Sequence, residues 1–310
     1  MFREILLRAS ESELVQHVVQ TAPGSRTVVR RFVAGAGVED AVRAATDLEG
    51  AGLRVTLDHL GEDTTDPARA RAVRDAYLDL IARLSAAGLT GGGQAEASLK
   101  LSAVGQALPD GEKIALDHAR EICSAAHAAG TTVTLDMEDH TTTDSTLAVL
   151  QELRVDFPTT GAVVQAYLHR TEGDCHDLAT AGSRVRLCKG AYAEPASVAH
   201  QGAHEVDLSY VRCLKVLMAG QGYPMIATHD PRLVAIAGSL AGQYGRAAGS
   251  YEYQMLYGVR PEEQRRLAAR GETMRVYVPY GTQWYGYLTR RLAERPANTG
   301  FFLRALVSRG

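Results

Sequence analysis

The chain has 310 residues, of which 45% are apolar, and this is enough for a large core. Its formal charge of −3 leaves no basic excess of the kind that binds nucleic acid. No apolar run approaches the roughly 20 residues that span a bilayer, and residues 1–10 lack the long apolar stretch of a secretory signal. The four cysteines have no paired CxxC spacing, which predicts reduced thiols in a cytoplasmic protein rather than disulfides or a zinc site.

The first fifty residues are predicted to form an N-terminal helical segment. The runs "SESELVQHVVQ" (10–20) and "VEDAVRAATDLEGAG" (38–52) carry apolar residues three and four positions apart, and the glycines that close the second run are a stop signal. We therefore divide the chain into a helical segment, 1–50, and a catalytic domain, 51–310.

A rhythm of short apolar or alternating runs begins at residue 53, each of strand length and rich in β-branched or aromatic residues. The eight runs are "LRVTLD" (53–58), "SLKLSAV" (98–104), "TVTLDME" (132–138), "AVVQAYL" (162–168), "RVRLCKGAY" (184–192), "PMIATHD" (224–230), "YEYQML" (251–256) and "MRVYVPYG" (274–281). Stretches with helical periodicity separate them. This alternation predicts an α/β fold with a closed (βα)8 barrel of the TIM type; an open doubly wound sheet is the alternative, weakened by the absence of GxGxxG after the first strand.

Polar side chains gather towards the ends of the predicted strands, where barrels of this type carry their chemistry. These residues are Asp58, His59, Lys100, Ser102, Asp136, Glu138, Asp139, Gln165, Arg186, Lys189, Thr228, His229, Asp230, Glu252, Gln254 and Tyr277. A ring of charges around one mouth favours a functional site. The alternative is a polar plug that only fixes the packing of the barrel.

The cationic residues among the candidates favour an anionic ligand, either a carboxylate or a phosphate. They are Lys100, Arg186, Lys189, Arg290 and Arg291. Neither GxSxG nor a Ser-His-Asp order is present, so acyl transfer has little support. Two chemistries remain open: a Schiff base on Lys100 or Lys189, and a divalent metal, for which the spacing is not diagnostic. The candidates for the metal are Asp136, Glu138, His140, His59 and His229.

The predicted fifth strand contains two of these cations. Period two places Arg186 and Lys189 on opposite faces of the strand. Both can reach one ligand only if the chain leaves sheet geometry by Lys189, which the end of a strand allows.

The run "YGYLTRRLAERPANTGFF" (285–302) predicts one last helix with two stripes. Residues three and four apart share a helix face, so Tyr287, Arg290, Arg291 and Glu294 form a polar stripe beside an apolar one. A solvated face is the simplest interpretation for an isolated helix. Pro296 is expected to end or kink the helix soon after Glu294.

Several motifs occur in an order that resembles the proline dehydrogenase family, from about residue 30 onward. They are "RLCKGAY" (186–192), "ATHD" (227–230), "YEYQMLYG" (251–258) and "VYVPYGTQWYGYLTRRLAE" (276–294), with "LKLSA" (99–103) and "LDMED" (135–139) at comparable strand ends. The length is similar to that of the monofunctional bacterial form. The resemblance implies a distorted (βα)8 barrel with the last helix over its mouth, and non-covalent FAD. It also implies oxidation of L-proline to Δ1-pyrroline-5-carboxylate by hydride transfer from C5 to N5 of FAD. Electrons then pass to a membrane quinone, which implies a cytoplasmic enzyme with peripheral contact at the inner face of the membrane.

The resemblance also implies roles for individual residues. Arg290 and Arg291 match the pair that binds the proline carboxylate, Glu294 the glutamate that orients them, and Lys100 a lysine that adds positive charge. The remaining matches around the substrate are Asp136, an acid of the active site, Tyr192, a tyrosine near it, and Tyr277, Tyr287 and Leu256, which wall in the ring. The matches to the FAD-contacting set are Gln165, Arg186, Lys189, Thr228, His229 and Glu252.

The chain departs from the family pattern at several positions, and two other functions compete with this one. Asp230 stands where asparagine is usual, and Cys188 where valine is common. Tyr277 is retained, which favours proline over hydroxyproline as the substrate. The competing functions are a barrel lyase or aldolase that uses a lysine or a metal, and a carboxylate-binding barrel without catalysis. A bound flavin would distinguish the dehydrogenase from both, because it colours the protein.

Overall fold

The computed structural model describes residues 25–294, in which strands and helices alternate from Arg54 onward. The strands are β1 (Arg54–His59), β2 (Ala95–Leu99), β3 (Val133–Leu135), β4 (Ala162–Gln165), β5 (Arg184–Cys188), β6 (Tyr223–Ala227), β7 (Glu252–Leu256) and β8 (Met274–Tyr280). The helices are α1 (Ser25–Phe32), α2 (Val38–Gly50), α3 (Pro67–Ala86), α4 (Gly111–Ala128), α5 (Thr143–Asp156), α6 (Thr171–Leu178), α7 (Ala203–Ala219), α8 (Pro231–Gln243), α9 (Pro261–Ala269) and α10 (Trp284–Glu294). No helix in this described part is both long and apolar enough to cross a membrane.

The eight strands form one parallel sheet in the order β3-β2-β1-β8-β7-β6-β5-β4. The two outer strands of that order meet at Gly161, which lies just before β4 and bridges to Thr134. The amide of Leu135 donates to the Gly161 carbonyl at 2.9 Å, and the amide of Gly161 donates to the Val133 carbonyl at 2.8 Å. A Cβ atom at Gly161 would lie 2.5 Å from Thr134 Oγ1, so the close approach requires glycine. The predicted barrel is confirmed.

Helix starts follow the expected chemistry at two points of the outer ring. Asp66 and Asp230 each accept a hydrogen bond from a backbone amide of the first turn, and proline occupies the first helical position of α3 and α8. Both features favour helix initiation because they satisfy or remove amide groups that lack partners inside the helix. The loops before these helices therefore end at fixed points on the rim.

Two helices depart from a regular barrel. α2 packs across β1 and β8, on the outer side that a helix following β8 would otherwise cover. The helix that does follow β8 is α10, and its Tyr287 and Leu288 pack against Leu60, Phe32 and Val33. Leu60 comes directly after the carboxyl end of β1. The last helix therefore lies at the mouth of the barrel instead of in the outer ring.

The lower half of the barrel interior is filled by ion pairs. Arg184 Nη2 lies 2.6 Å from Glu96 Oε2, and Arg275 Nε lies 2.7 Å from Glu252 Oε1. Thr56 Oγ1 donates to Glu96 Oε1 at 2.8 Å. These residues come from the first halves of their strands, so a polar plug does exist, but it lies below the mouth.

The structure corrects five predicted strands: the runs 132–138, 162–168 and 224–230 each extend three residues beyond β3, β4 and β6, and β2 and β5 differ more. β2 ends at Leu99, and Ser102–Val104 form a 3-10 turn, whereas the run 98–104 was predicted as strand. The true strand begins "AEAS" and has little intrinsic β-propensity; its pairing with β1 and β3 decides the outcome. β5 ends at Cys188, so the predicted run 184–192 is too long. The predicted helix over 10–20 lies outside the described residues.

Candidate active site

The Asp136 carboxylate, one residue past β3, is the centre of the polar cluster in the upper barrel. Its Oδ1 accepts from Arg186 Nη1 at 2.6 Å and from Ser98 Oγ at 2.8 Å. Its Oδ2 accepts from the Tyr277 hydroxyl at 2.6 Å. Burial and the Asp136 charge raise the pKa of Tyr277 well above its ordinary value, so this hydroxyl remains a donor. Three different strands thus converge on one carboxylate.

Arg186 is held in the middle of the mouth by partners on both sides. Its side chain is 5% exposed, and its Nε donates to Gln254 Oε1 at 2.6 Å. The guanidinium carbon lies 5.2 Å from the centre of the Tyr277 ring, within cation–π range. The guanidinium plane is therefore fixed before any ligand binds.

Lys100 follows β2 and lies beside this cluster. Its Nζ donates to both oxygens of Asp58, at 2.9 and 3.1 Å, and lies 3.8 Å from Asp136. Burial alone would lower the pKa of Lys100, but Asp58 and Asp136 raise it well above its ordinary value. The side chain is thus an ammonium ion. A Schiff base at Lys100 is not supported, because that chemistry requires the neutral amine.

Lys189 lies one residue beyond β5. The chain therefore leaves strand geometry before Lys189, as is required if Lys189 and Arg186 are to contact the same ligand. Its Nζ lies 2.5 Å from Asp207 Oδ1 and 3.4 Å from Asp230 Oδ2. Arg232 contacts both carboxylates as well. Hydrogen bonding from Arg232 and the nearby Lys189 charge hold the pKa of Asp230 well below its usual range. Asp230 is therefore a charged rim residue that caps α8.

The carboxyl ends of β4 and β6 place neutral polar groups on the same rim. Gln165, the last residue of β4, donates through Nε2 to the Glu138 carbonyl at 2.7 Å. Thr228 Oγ1 accepts from the Asp230 amide at 3.1 Å. His229 Nε2 accepts from the Leu256 amide at 2.9 Å, which leaves Nδ1 to carry the proton of the neutral ring. Each is oriented by its neighbour.

The final helix supplies the described residue Tyr287, which is buried among apolar side chains of α1 and the segment after β1. Tyr192, beyond β5, lies close enough to Lys100 to interact with its charge. The backbones of Arg290, Arg291 and Glu294 belong to α10. Their side chains lie outside the part of the chain that the structure describes.

The prediction that Glu252 lies at the mouth is wrong. Glu252 is the first residue of β7, is fully buried, and contacts Arg275 Nε at 2.7 Å and the Tyr223 hydroxyl at 3.1 Å. Its side chain shares a face with Gln254 but lies one layer deeper. The sequence analysis assigned the polar residues of the run 251–256 to the carboxyl end of the strand, although Glu252 stands at its beginning. Glu252 belongs to the plug below the mouth.

Two contacts of the mouth were missed by sequence reasoning. Ser98 donates to Asp136, and Gln254 accepts from Arg186. Ser98 precedes Lys100 by two residues, so strand periodicity could have indicated that both face the interior. Gln254 was noted near a strand end but was given no role.

The histidines proposed as metal ligands are not brought together. His59 packs edge-on against Tyr77 and Tyr280, and His140 pairs with Glu194. Among the side chains that the structure describes, no group of three or more histidine, cysteine or carboxylate residues is arranged to hold a metal ion. The metal-dependent alternative is therefore not supported by the described side chains.

Comparisons with known proteins agree with one another. A sequence model of the family described as proline dehydrogenase matches residues 41–304. The chain is 37% identical over 309 residues to proline dehydrogenase 1 of Bacillus subtilis strain 168, covering 100% of both chains. It is 36% identical over 310 residues to proline dehydrogenase of Deinococcus radiodurans, covering 99% of this chain and 98% of the relative.

The fold is also similar to that of a solved structure. The crystal structure of proline utilization A (PutA) from Bdellovibrio bacteriovorus inactivated by N-propargylglycine matches with a TM-score of 0.82 and 22% identity. The match covers 98% of this chain and 39% of that longer chain. At this level of identity the likeness concerns the fold.

Proposed function

The chain belongs to the proline dehydrogenase family, and from that membership we propose that it oxidises L-proline to Δ1-pyrroline-5-carboxylate with FAD, passing electrons to a quinone. The observation that carries the proposal is the Asp136–Arg186–Tyr277 cluster in the mouth. A buried guanidinium, fixed between a carboxylate and an aromatic ring, is a preorganised positive charge of the kind that stabilises developing negative charge.

The donor set of the mouth suits FAD. A flavin is a planar ring with several acceptors, joined to a pyrophosphate, and it requires both neutral donors and cations. Gln165 and Thr228 provide neutral polar groups at the ends of β4 and β6, while Arg186 and Lys189 provide positive charge in and just beyond β5, which lies between those two strands. These residues, with His229, would hold the cofactor. When bound, FAD supplies the acceptor for the hydride from proline C5.

The protein's own task is to bind and orient proline. We propose that Arg290 and Arg291 bind the carboxylate through their planar donors, that Glu294 orients them, and that Lys100 adds positive charge. Tyr277, Tyr287 and Leu256 would enclose the apolar ring and exclude water, with Tyr192 beside them. Fixing the carboxylate and the ring together sets the position of C5. Positioning of this kind can lower the activation free energy of a reaction by about 7–11 kcal/mol at best.

A lyase or aldolase that uses a lysine is less well supported. Lys100 is an ammonium ion bound by Asp58, and Lys189 is paired with Asp207. Neither provides the neutral amine that such an enzyme needs.

We also propose that the enzyme is cytoplasmic and meets its quinone by peripheral contact with the inner face of the membrane. A lipid-soluble acceptor has to be reached at a bilayer surface. Sedimentation with liposomes, with and without incorporated quinone, would test this contact.

An anaerobic absorbance spectrum tests the dehydrogenase proposal directly. The purified protein should absorb near about 450 nm, as flavins do, and L-proline should bleach this band. A lyase or a binding protein would lack the band. A flavin band that L-proline leaves unchanged would contradict proline as the substrate while leaving the cofactor assignment intact.

A further inference from the structure

One buried carboxylate of the barrel differs from the rest in its partners. Asp58, Glu96, Asp136 and Glu252 each lie between 2.6 and 2.9 Å from a nitrogen of lysine or arginine. Glu138 is 7% exposed, yet among the side chains that the structure describes, which exclude those of Arg290 and Arg291, no cation lies within ion-pair distance of it. A buried carboxylate without a cation favours its neutral form, so Glu138 is poised to change its charge.

Glu138 belongs to a ladder of contacts that runs up the barrel interior. Thr134 contacts Glu96 at 3.3 Å, Asp136 contacts Ser98 at 2.8 Å, and Glu138 contacts Ser102 at 2.7 Å. Alternate residues of the segment from β3 therefore face the interior, one layer at a time. Glu138 is the last member along the chain; it lies three residues beyond the carboxyl end of β3, on the side of the barrel where the mouth is.

The carboxylate is fixed by neutral donors. Ser102 donates from Oγ to Oε2 at 2.7 Å and from its amide to Oε1 at 3.2 Å. The Glu138 backbone carbonyl is held by Gln165 Nε2 at 2.7 Å. The carboxyl group is thus fixed by the 3-10 turn that follows β2 and the backbone of Glu138 by β4, and protonation of Glu138 breaks no ion pair among the described side chains.

The charged groups that face Glu138 act in opposite directions. Burial raises the pKa of Glu138 to about 7; Ser102 and Lys100 lower it, and Glu62, from the segment after β1, raises it. Lys100 is already bound by Asp58 and Asp136, which weakens its effect on a third carboxylate. A group that titrates near neutral pH at the mouth is suited to exchange protons with a substrate.

We propose that the Glu138 carboxylate accepts the proton that the ammonium group of L-proline must lose before oxidation at C5. This inference rests on the proposed function. The N–H bond breaks, its electron pair stays on nitrogen, and an O–H bond forms on Glu138. The nitrogen lone pair then stabilises the positive charge that departure of the hydride creates. Lys100 does not serve as this acceptor, because it is already an ammonium ion.

The pH dependence of kcat/KM for L-proline, measured with a dye acceptor, tests the proposal. In the wild type kcat/KM should rise tenfold per pH unit at low pH, bend near neutral pH and then reach a plateau, because enzyme carboxylate and proline ammonium react together. In Glu138→Gln the bend should disappear. The reaction would then depend on the small fraction of free L-proline whose amine is already neutral. The kcat/KM of the variant should therefore be at least tenfold lower at neutral pH, and it should keep rising into the alkaline range as that fraction grows.

Two further variants make the test independent of any damage caused by Glu138→Gln. Ser102→Ala removes a hydrogen bond that favours the charged carboxylate, so the bend should move to higher pH. Glu172→Gln removes a surface carboxylate that pairs with Arg212 at 3.0 Å on the outer helices, and its profile should match the wild type.

The outcomes separate the inference from the function on which it rests. A wild-type protein that does not oxidise L-proline would end the proposed function. A protein that oxidises L-proline, but whose Glu138→Gln variant keeps the bend and the plateau, would overturn the inference alone. If Glu138→Gln does not fold, an unmoved bend in Ser102→Ala overturns it.

Discussion

Tyr277 combines two roles that different substitutions can separate. Its ring lies over Arg186 and its hydroxyl donates to Asp136 at 2.6 Å. Tyr277→Ser should open space beside the substrate ring and offer a hydrogen-bonding group, so kcat/KM for L-proline should fall while that for hydroxyproline falls less. Tyr277→Phe keeps the wall and loses only the hydrogen bond, so its substrate ratio should stay close to that of the wild type. Assays of both substrates on both variants decide this; an unaltered ratio in Tyr277→Ser would remove Tyr277 from the specificity residues.

The arginine pair of α10 is the second set of single residues with a definite expected effect. If Arg290 and Arg291 bind the proline carboxylate, each Arg→Met change should lower kcat/KM by roughly a hundredfold, because a charge-assisted contact is lost and its partner is left unpaired. Lysine should rescue only in part, since it offers a point charge instead of a planar fork. Arg212→Met, on an exposed ion pair, is the control. Near-wild-type kcat and KM in both variants would indicate that this stripe faces solvent.

Among the secondary structure elements, the segments after β3 and β5 are tied together by one side chain. The Glu194 side chain is 3% exposed, and its carboxylate accepts from the His140 amide at 2.9 Å and from the Tyr167 hydroxyl at 3.2 Å and pairs with the His140 ring. Gly190, at φ +112°, packs against Tyr167 so closely that a Cβ would lie 2.3 Å from the ring. The segment that carries Tyr192 and Lys189 is thereby held at the mouth.

Glu194→Ala should loosen this segment without touching the reacting atoms. We expect KM for L-proline to rise several-fold with a smaller change in kcat, and faster cleavage by protease within residues 189–202, because local opening becomes easier. Glu172→Ala is the matched control on the outer surface. An unchanged KM together with an unchanged cleavage rate would mean that Glu194 does not position the segment.

The arrangement of elements was predictable where local pattern and tertiary pairing agree. Eight strands and a barrel follow from the alternation, and Arg186, Asp136 and Tyr277 were correctly brought to one mouth. β2 was displaced because "AEAS" has little β-propensity and is a strand only through its neighbours. Periodicity states which residues share a helix face but not what that face meets, so the position of α10 against Leu60 could not be derived from its own sequence.

Glu252 shows why strand ends are difficult to place. A run of strand-forming residues does not indicate which of its acids lies at the top, and a shift of two residues moves a side chain by a full layer. Glu138 was correctly placed among the polar residues at the strand ends, but the only chemical role considered for it was that of a candidate metal ligand. What distinguishes it is the absence of a cation among the described residues around it, and that depends on where Lys100 and Arg186 point.

Taken as a whole, the barrel interior has two polar layers with different consequences. The lower layer pairs every buried acid with an arginine, so breaking a pair leaves an uncompensated charge, which typically costs about 3–5 kcal/mol. The upper layer contains Glu138, whose ionised form is not compensated by a cation among the described side chains. The lower layer therefore stabilises the fold. In the upper layer, ionisation of the buried Glu138 near neutral pH lowers the free energy of unfolding, and this cost accompanies a carboxylate held where it can react.

This difference predicts how stability depends on pH. The pKa of Glu138 is raised by burial from 4.5 to about 7 in the folded protein, so the native state binds more protons than the unfolded state between these values. The protonated form stabilises the fold fully below the unfolded pKa, and this contribution is lost as the pH rises through about 7. Glu138→Gln mimics the protonated form at every pH. Its free energy of unfolding should therefore exceed that of the wild type by a margin that grows by about 2 kcal/mol between about pH 5.5 and about pH 8.

Urea unfolding of the holoenzyme at the two pH values, with Glu172→Gln as the control, measures this margin. A variant that loses activity and gains stability as the pH rises would fit a functional acid, whereas a variant equally destabilised at both would show that Glu138 is simply part of the packing.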